Sequence, residues 1–144
     1  MTTIDTQMEK QLTRNQWIKI GVVAAVASVV AVLITQAIAI AIWPDSVLFK
    51  PLDSYPRTAV FTIIPVIVAT ALLAWLVGHK PHPVQTFVKI AVVVLLLSFI
   101  PDYLLPVPYR TFLTSSIAAF LHVVAAIVTV FVLITGYRRE AERS

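Results

Sequence analysis

Four side chains stand out because each is polar or ionisable within or beside a long apolar run. His122 lies in Phe120-Leu121-His122-Val123-Val124-Ala125-Ala126, Ser98 follows Leu95-Leu96-Leu97, Gln36 follows Leu33-Ile34-Thr35, and Asp102 directly follows Pro101. His122 is expected near the middle of its span, facing the bundle interior, where an imidazole can handle a proton, contact a ligand, or close a hydrogen bond between helices. The third use needs only a partner such as Ser98, Gln36 or Thr70. If the faces carrying Gln36, Ser98 and His122 converge, they form a small polar pocket with Asp102 at its mouth.

Other chemistry is poorly provided for. His79 and His82 flank a proline-rich turn, where they read as a solvated loop rather than a metal pair. With no cysteine, there is no thiolate nucleophile and no thiolate metal site. The chain has no glycine-rich phosphate loop, no HExxH and no nucleophile elbow. No apolar run carries an arginine ladder or a selectivity-filter-like sequence. Neither catalysis, a metal nor a cofactor is expected.

The elements that must position these groups follow from composition. Of 144 residues, 59% are hydrophobic and 12% charged. The apolar share is above, and the charged share half, that of an ordinary soluble domain. A bilayer core needs about 20 apolar residues per helix. The chain offers such runs at about 17–43, 57–78, 84–105 and 111–137, between a polar tail at 1–16 and a basic tail at 138–144. The first run has 25 uncharged residues between Lys19 and Asp45, about 37 Å as a helix. That is too long for a signal-peptide core, despite Ala37-Ile38-Ala39 resembling a cleavage site. Pro65 is expected to kink the second span, and Pro101-Asp102 to interrupt the far end of the third. Short loops predict an all-α, up-down four-helix membrane bundle. Gly21, Ala24, Ala25, Ala27, Ser28 and Ala31 mark a packing face on the first span.

Counting Lys and Arg orients the bundle. Lys10, Arg14, Lys19, Lys80, Lys89, Arg138, Arg139 and Arg143 fall on one side, against Lys50, Arg57 and Arg110 on the other. Both termini are therefore expected in the cytoplasm, with the protein multi-pass in the cytoplasmic membrane. The net charge of +4 sits at span ends, where it suits lipid headgroups rather than nucleic acid. The two outward loops share a pattern, leaving at Pro44-Asp45 and Pro101-Asp102 and returning at Arg57-Thr58 and Arg110-Thr111. This reads either as a duplicated hairpin or as convergent boundary chemistry. It also predicts an outer-surface charge cluster of Asp45, Arg57, Asp102 and Arg110.

The run Val92-Val93-Val94-Leu95-Leu96-Leu97-Ser98-Phe99-Ile100-Pro101-Asp102, with Phe120-Leu121-His122-Val123-Val124-Ala125-Ala126, resembles an uncharacterised bacterial and archaeal family of small four-span membrane proteins, a domain of unknown function. The resemblance covers most of the chain. It implies the four-span fold and draws attention to Ser98, Asp102 and His122, and it brings no activity. The expected role is a non-catalytic accessory or structural subunit of a larger membrane complex, with the lipid bilayer and other membrane subunits as partners. The alternative is an oligomeric small transporter or proton-linked channel working through His122.

Overall fold

The computed structural model describes residues 11–143; Asp5, Glu9 and Lys10 of the expected tail lie outside the described residues, as does Ser144. It contains four long helices and no strand among the described residues: α1 (Arg14–Ile42), α2 (Tyr55–His79), α3 (Pro83–Leu104) and α4 (Phe112–Arg143). Each is long and apolar enough to cross a membrane.

Local chemistry sets the helix ends. Thr13 and Gln16 form a reciprocal capping box, which starts α1 three residues before Trp17. The Ser54 hydroxyl accepts from the backbone N–H of Arg57 at the start of α2. Thr111 and Thr114 exchange side-chain-to-backbone bonds at the start of α4. At its other end α4 runs on through Arg138 and Arg139 to Arg143, where a basic tail was expected. Cations suit the negative end of a helix dipole, and Glu140 is held by Lys19 and Gln16 of α1.

Neither proline breaks its helix. α2 continues through Pro65 and α3 through Pro101. A proline removes one ladder bond, and in an apolar medium the remaining helical bonds have no competitor. The first loop is also more ordered than its three prolines imply. It folds as two short 3-10 turns, Pro44–Leu48 and Lys50–Leu52.

The packing of α1 shows which solvent the fold needs. Its buried stripe is Ile20, Ala24, Ser28, Val32, Gln36 and Ala39, at helical spacing. Its exposed stripe is Val22, Val26, Val30, Ile34, Ile38 and Ile42, each at least half exposed. The inward stripe carries the polar Ser28 and Gln36 and the small Ala24 and Ala39, while the outward stripe is branched aliphatic throughout. Water would penalise that arrangement and lipid favours it. The fold is that of a multi-pass membrane protein.

The helices form a square. α1 packs mainly on α4 and α2, and α3 on the same two, so α1 and α3 take opposite corners. One core cluster, near the helix termini, gathers Trp17, Ile20, Leu73, Leu76, Phe87, Leu133 and Tyr137. Trp17 stacks on Tyr137 with centroids 5.6 Å apart. The start of α1 and the end of α4 therefore lie side by side. The other cluster gathers Val32, Ala39, Ile117, Ala118 and Leu121 with Phe49 and Leu52 of the first loop. That loop tucks Phe49 and Leu52 into the bundle and closes the end opposite the termini.

Between the clusters, the Ser28 and Thr129 hydroxyls bond across α1 and α4 at 2.8 Å, fully buried. Ser28→Ala or Thr129→Val is each expected to cost about 1 kcal/mol, because either leaves the other hydroxyl unpaired in an apolar seam. The double variant should cost little more than one single variant. Thermal melts in mild detergent check this; additive losses would deny the bond its pairwise role.

Candidate functional site

Pro101 does not end α3. The helix makes a further turn, closed by the Leu105 N–H on the Pro101 carbonyl. That turn points Asp102 at α4 rather than into the outer loop. Its side chain is 9% exposed, and its Oδ2 lies 3.1 Å from Nε2 of His122. The approach is short but lacks hydrogen-bond alignment, since Oδ2 has no hydrogen-bond partner. The two side chains are in close contact across the seam.

Two further bonds fix this seam. Ser115 donates its hydroxyl to the Asp102 carbonyl at 2.6 Å, and the Tyr103 and Ser116 hydroxyls bond at 3.0 Å. The last turn of α3 is thus tied to α4 at consecutive residues.

His122 itself differs from the sequence expectation. Its side chain is 43% exposed, so it looks out of the α3–α4 seam rather than into the bundle. It is the eleventh residue of a 32-residue helix, which places it in the half of α4 away from the termini.

The other two residues of the expected pocket have hydrogen bonds of their own. Gln36 is fully buried and donates its amide N–H to the Leu52 carbonyl at 3.2 Å, which anchors the first loop. Its Oε1 has no hydrogen-bond partner. Ser98 donates to the Leu95 carbonyl of its own helix at 2.6 Å. Among the described residues neither is bonded to His122. Gln36 stands on α1 and Ser98 on α3, at opposite corners. Of the four residues, the structure brings Asp102 and His122 together and shows the bonds of Gln36 and Ser98 elsewhere.

The outer charge cluster is likewise replaced by local contacts. Arg57 pairs with Asp53 one turn away and donates to the Lys50 carbonyl at 2.9 Å. Arg110 donates to the Tyr103 carbonyl. Each arginine thus clasps the backbone seven residues upstream, a shared geometry beneath the shared Arg-Thr pattern of the two loops. Tyr109, at φ 62°, takes the left-handed turn just before Arg110. Asp45 sits in the first turn of its 3-10 helix, where a negative charge is favourable. Asp102 is committed to the α3–α4 seam. Nearby loop acceptors need less chain ordering than a contact between loops, and this decides the pairing.

At the other end of the molecule, His79 Nδ1 lies 2.8 Å from the Trp75 carbonyl and its ring stacks on Trp75. Among the described residues no group of three or more His, Cys, Asp or Glu side chains is gathered for a metal ion.

Comparison with family models decides the relationship. Residues 10–140, which cover α1 to α3 and α4 as far as Glu140, match the model of a family of unknown function, DUF6069. The chain belongs to the DUF6069 family. Neither a curated protein nor a solved structure matches it. Within this DUF6069 chain, the seam between α3 and α4 brings the ionisable side chains of Asp102 and His122 together.

Proposed function

We propose that this DUF6069 protein is a non-catalytic subunit of a larger membrane assembly, anchored in the cytoplasmic membrane with both termini in the cytoplasm. One observation carries the reading. Of its 22 residues, α3 buries only Pro83, Phe87 and Asp102 within the chain. The rest of the helix presents an apolar face, including Val92, Val93, Leu96, Leu97 and Ile100, each at least half exposed. A helix so weakly engaged by its own bundle is suited to packing against another membrane helix. The excess of Lys and Arg at the termini supports the orientation.

A photoreactive residue at Leu97, irradiated in native membranes, tests this. The expected result is one adduct of discrete mass with a different polypeptide. The same probe at Phe131, exposed on α4, serves as the comparison. Adducts with lipid alone at Leu97 would overturn the proposal.

The second reading, an oligomer that moves protons or a small solute, is favoured by the half-exposed imidazole beside a buried carboxylate. It predicts adducts between copies of this chain, and vesicle flux abolished by His122→Leu. A single bundle offers little passage, because the first loop fills one end and Leu73, Leu76, Phe87 and Leu133 fill the other. A path would run between chains, past His122.

A further inference from the structure

A second polar feature lies far from the Asp102–His122 seam, where the start of α1 meets the end of α4. An open groove of about 310 Å³ runs between them. Lys19, Arg139, Arg143 and Glu140 form its rim. Its floor is apolar, with Val23 and Val132 at the membrane side and Gly136 between the helices.

The charges on the rim are unequal. Glu140 is largely buried, at 14% exposure, and lies 3.7 Å from Lys19 Nζ and 3.8 Å from an Arg143 guanidinium nitrogen. It also accepts from the Gln16 side chain at 3.2 Å. These ion pairs are long, and Lys19 and Arg143 remain about two-thirds exposed. Both keep donors available while Glu140 holds them over the groove. Arg139 makes no ion pair among the described residues. Among the described residues, three cations against one carboxylate leave the rim with two positive charges in excess.

The floor matters equally. A Cβ at Gly136 would lie 3.0 Å from Ile20 Cγ2, so the absent side chain lets the helices approach while leaving the groove open above them. Below the cations, Val23 is about half exposed and continues the aliphatic surface that faces lipid. A ligand that fits must be anionic at one end and aliphatic at the other.

We infer that this groove binds an anionic phospholipid. Its phosphate lies on Lys19, Arg139 and Arg143, and the upper part of an acyl chain lies along Val23 and Val132. Guanidinium forks match phosphate oxygens, and basic pockets between membrane helices hold acidic headgroups. A free phosphate would meet the same cations but leave the apolar floor unused.

The test uses the full chain in mild detergent, titrated with phosphatidylglycerol or phosphatidylcholine and read by native mass spectrometry. Phosphatidylglycerol is expected to bind more tightly. Arg139→Gln and Arg143→Gln should each weaken it about fivefold, with phosphatidylcholine binding unchanged. Arg138→Gln removes an adjacent exposed charge outside the groove and should leave binding within about twofold. All three positions are exposed, and unchanged thermal melts confirm that the variants fold. Equal binding of the two lipids would overturn the proposal. So would equal losses from Arg138→Gln and Arg139→Gln, which would show that overall charge, not this groove, attracts the lipid. Displacement of phosphatidylglycerol by inorganic phosphate at matched concentration would also overturn it, since the apolar floor would then contribute nothing.

Discussion

His122→Ala is expected to destabilise the bundle more than Asp102→Ala does, and removing both should be milder than removing His122 alone. The order follows from burial. Asp102 is 9% exposed on its side chain and His122 43%. Deleting the imidazole leaves the enclosed Asp102 side chain without the ring nitrogen 3.1 Å from it, whereas deleting the carboxyl group leaves a ring at the edge of the seam that is free to turn toward another acceptor. Leaving a buried polar group without a partner costs about 1–3 kcal/mol, which is the loss expected for His122→Ala. Asp102→Ala should cost about 1 kcal/mol, because the bond from Ser115 goes to the backbone carbonyl and survives. Melts of the two single variants and the double variant in one detergent give the order. Equal losses from the two single variants, summing in the double, would show that the residues act independently.

Gly136→Leu is the second large effect. Gly136 brings α4 against α1 along the most extensive helix contact in the molecule. Even a methyl group there would sit 3.0 Å from Ile20, so Gly136→Ala requires Ile20 to shift by a few tenths of an ångström. Leucine cannot be accommodated by that shift, and overpacking of this kind costs about 1–3 kcal/mol. In lipid the loss is not recovered elsewhere. Helix association there depends on close packing rather than on escape from water, so separated helices gain nothing from the apolar surface they expose. Denaturation by sodium dodecyl sulfate in mixed micelles should show an early transition for Gly136→Leu and a small shift for Gly136→Ala. Matching curves would mean that α1 and α4 do not need this approach.

The parts of this fold that were legible in the sequence are those set by long-range composition. Four apolar runs, separated by charges and prolines, can only satisfy their backbones in lipid as helices, and the structure has them. The local boundaries were less legible, for one recurring reason. Pro101 and Arg138 both read as stop signals, yet each lies within a helix. Proline is tolerated near a helix end, and arginine is favoured there by the dipole. The extra turn after Pro101 is what carries Asp102 from the loop to His122.

The role of Gln36 was hidden for a different reason. Its partner is a backbone carbonyl in a loop that reads as solvent-exposed. The apolar residues Phe49 and Leu52, set among prolines and aspartates, were the available sign that the loop turns inward. Ser98 illustrates a general difficulty with hydroxyls in membrane helices. Its own backbone offers an acceptor one turn away, so position alone does not reveal a partner across the bundle.

The stacking of Trp17 on Tyr137 has a practical corollary. Because the first helix begins beside the place where the last one finishes, two copies can be fused in tandem through a short flexible connector without unpicking either. Such a concatemer, carrying an altered histidine in one half only, would count how many intact copies any collective activity requires.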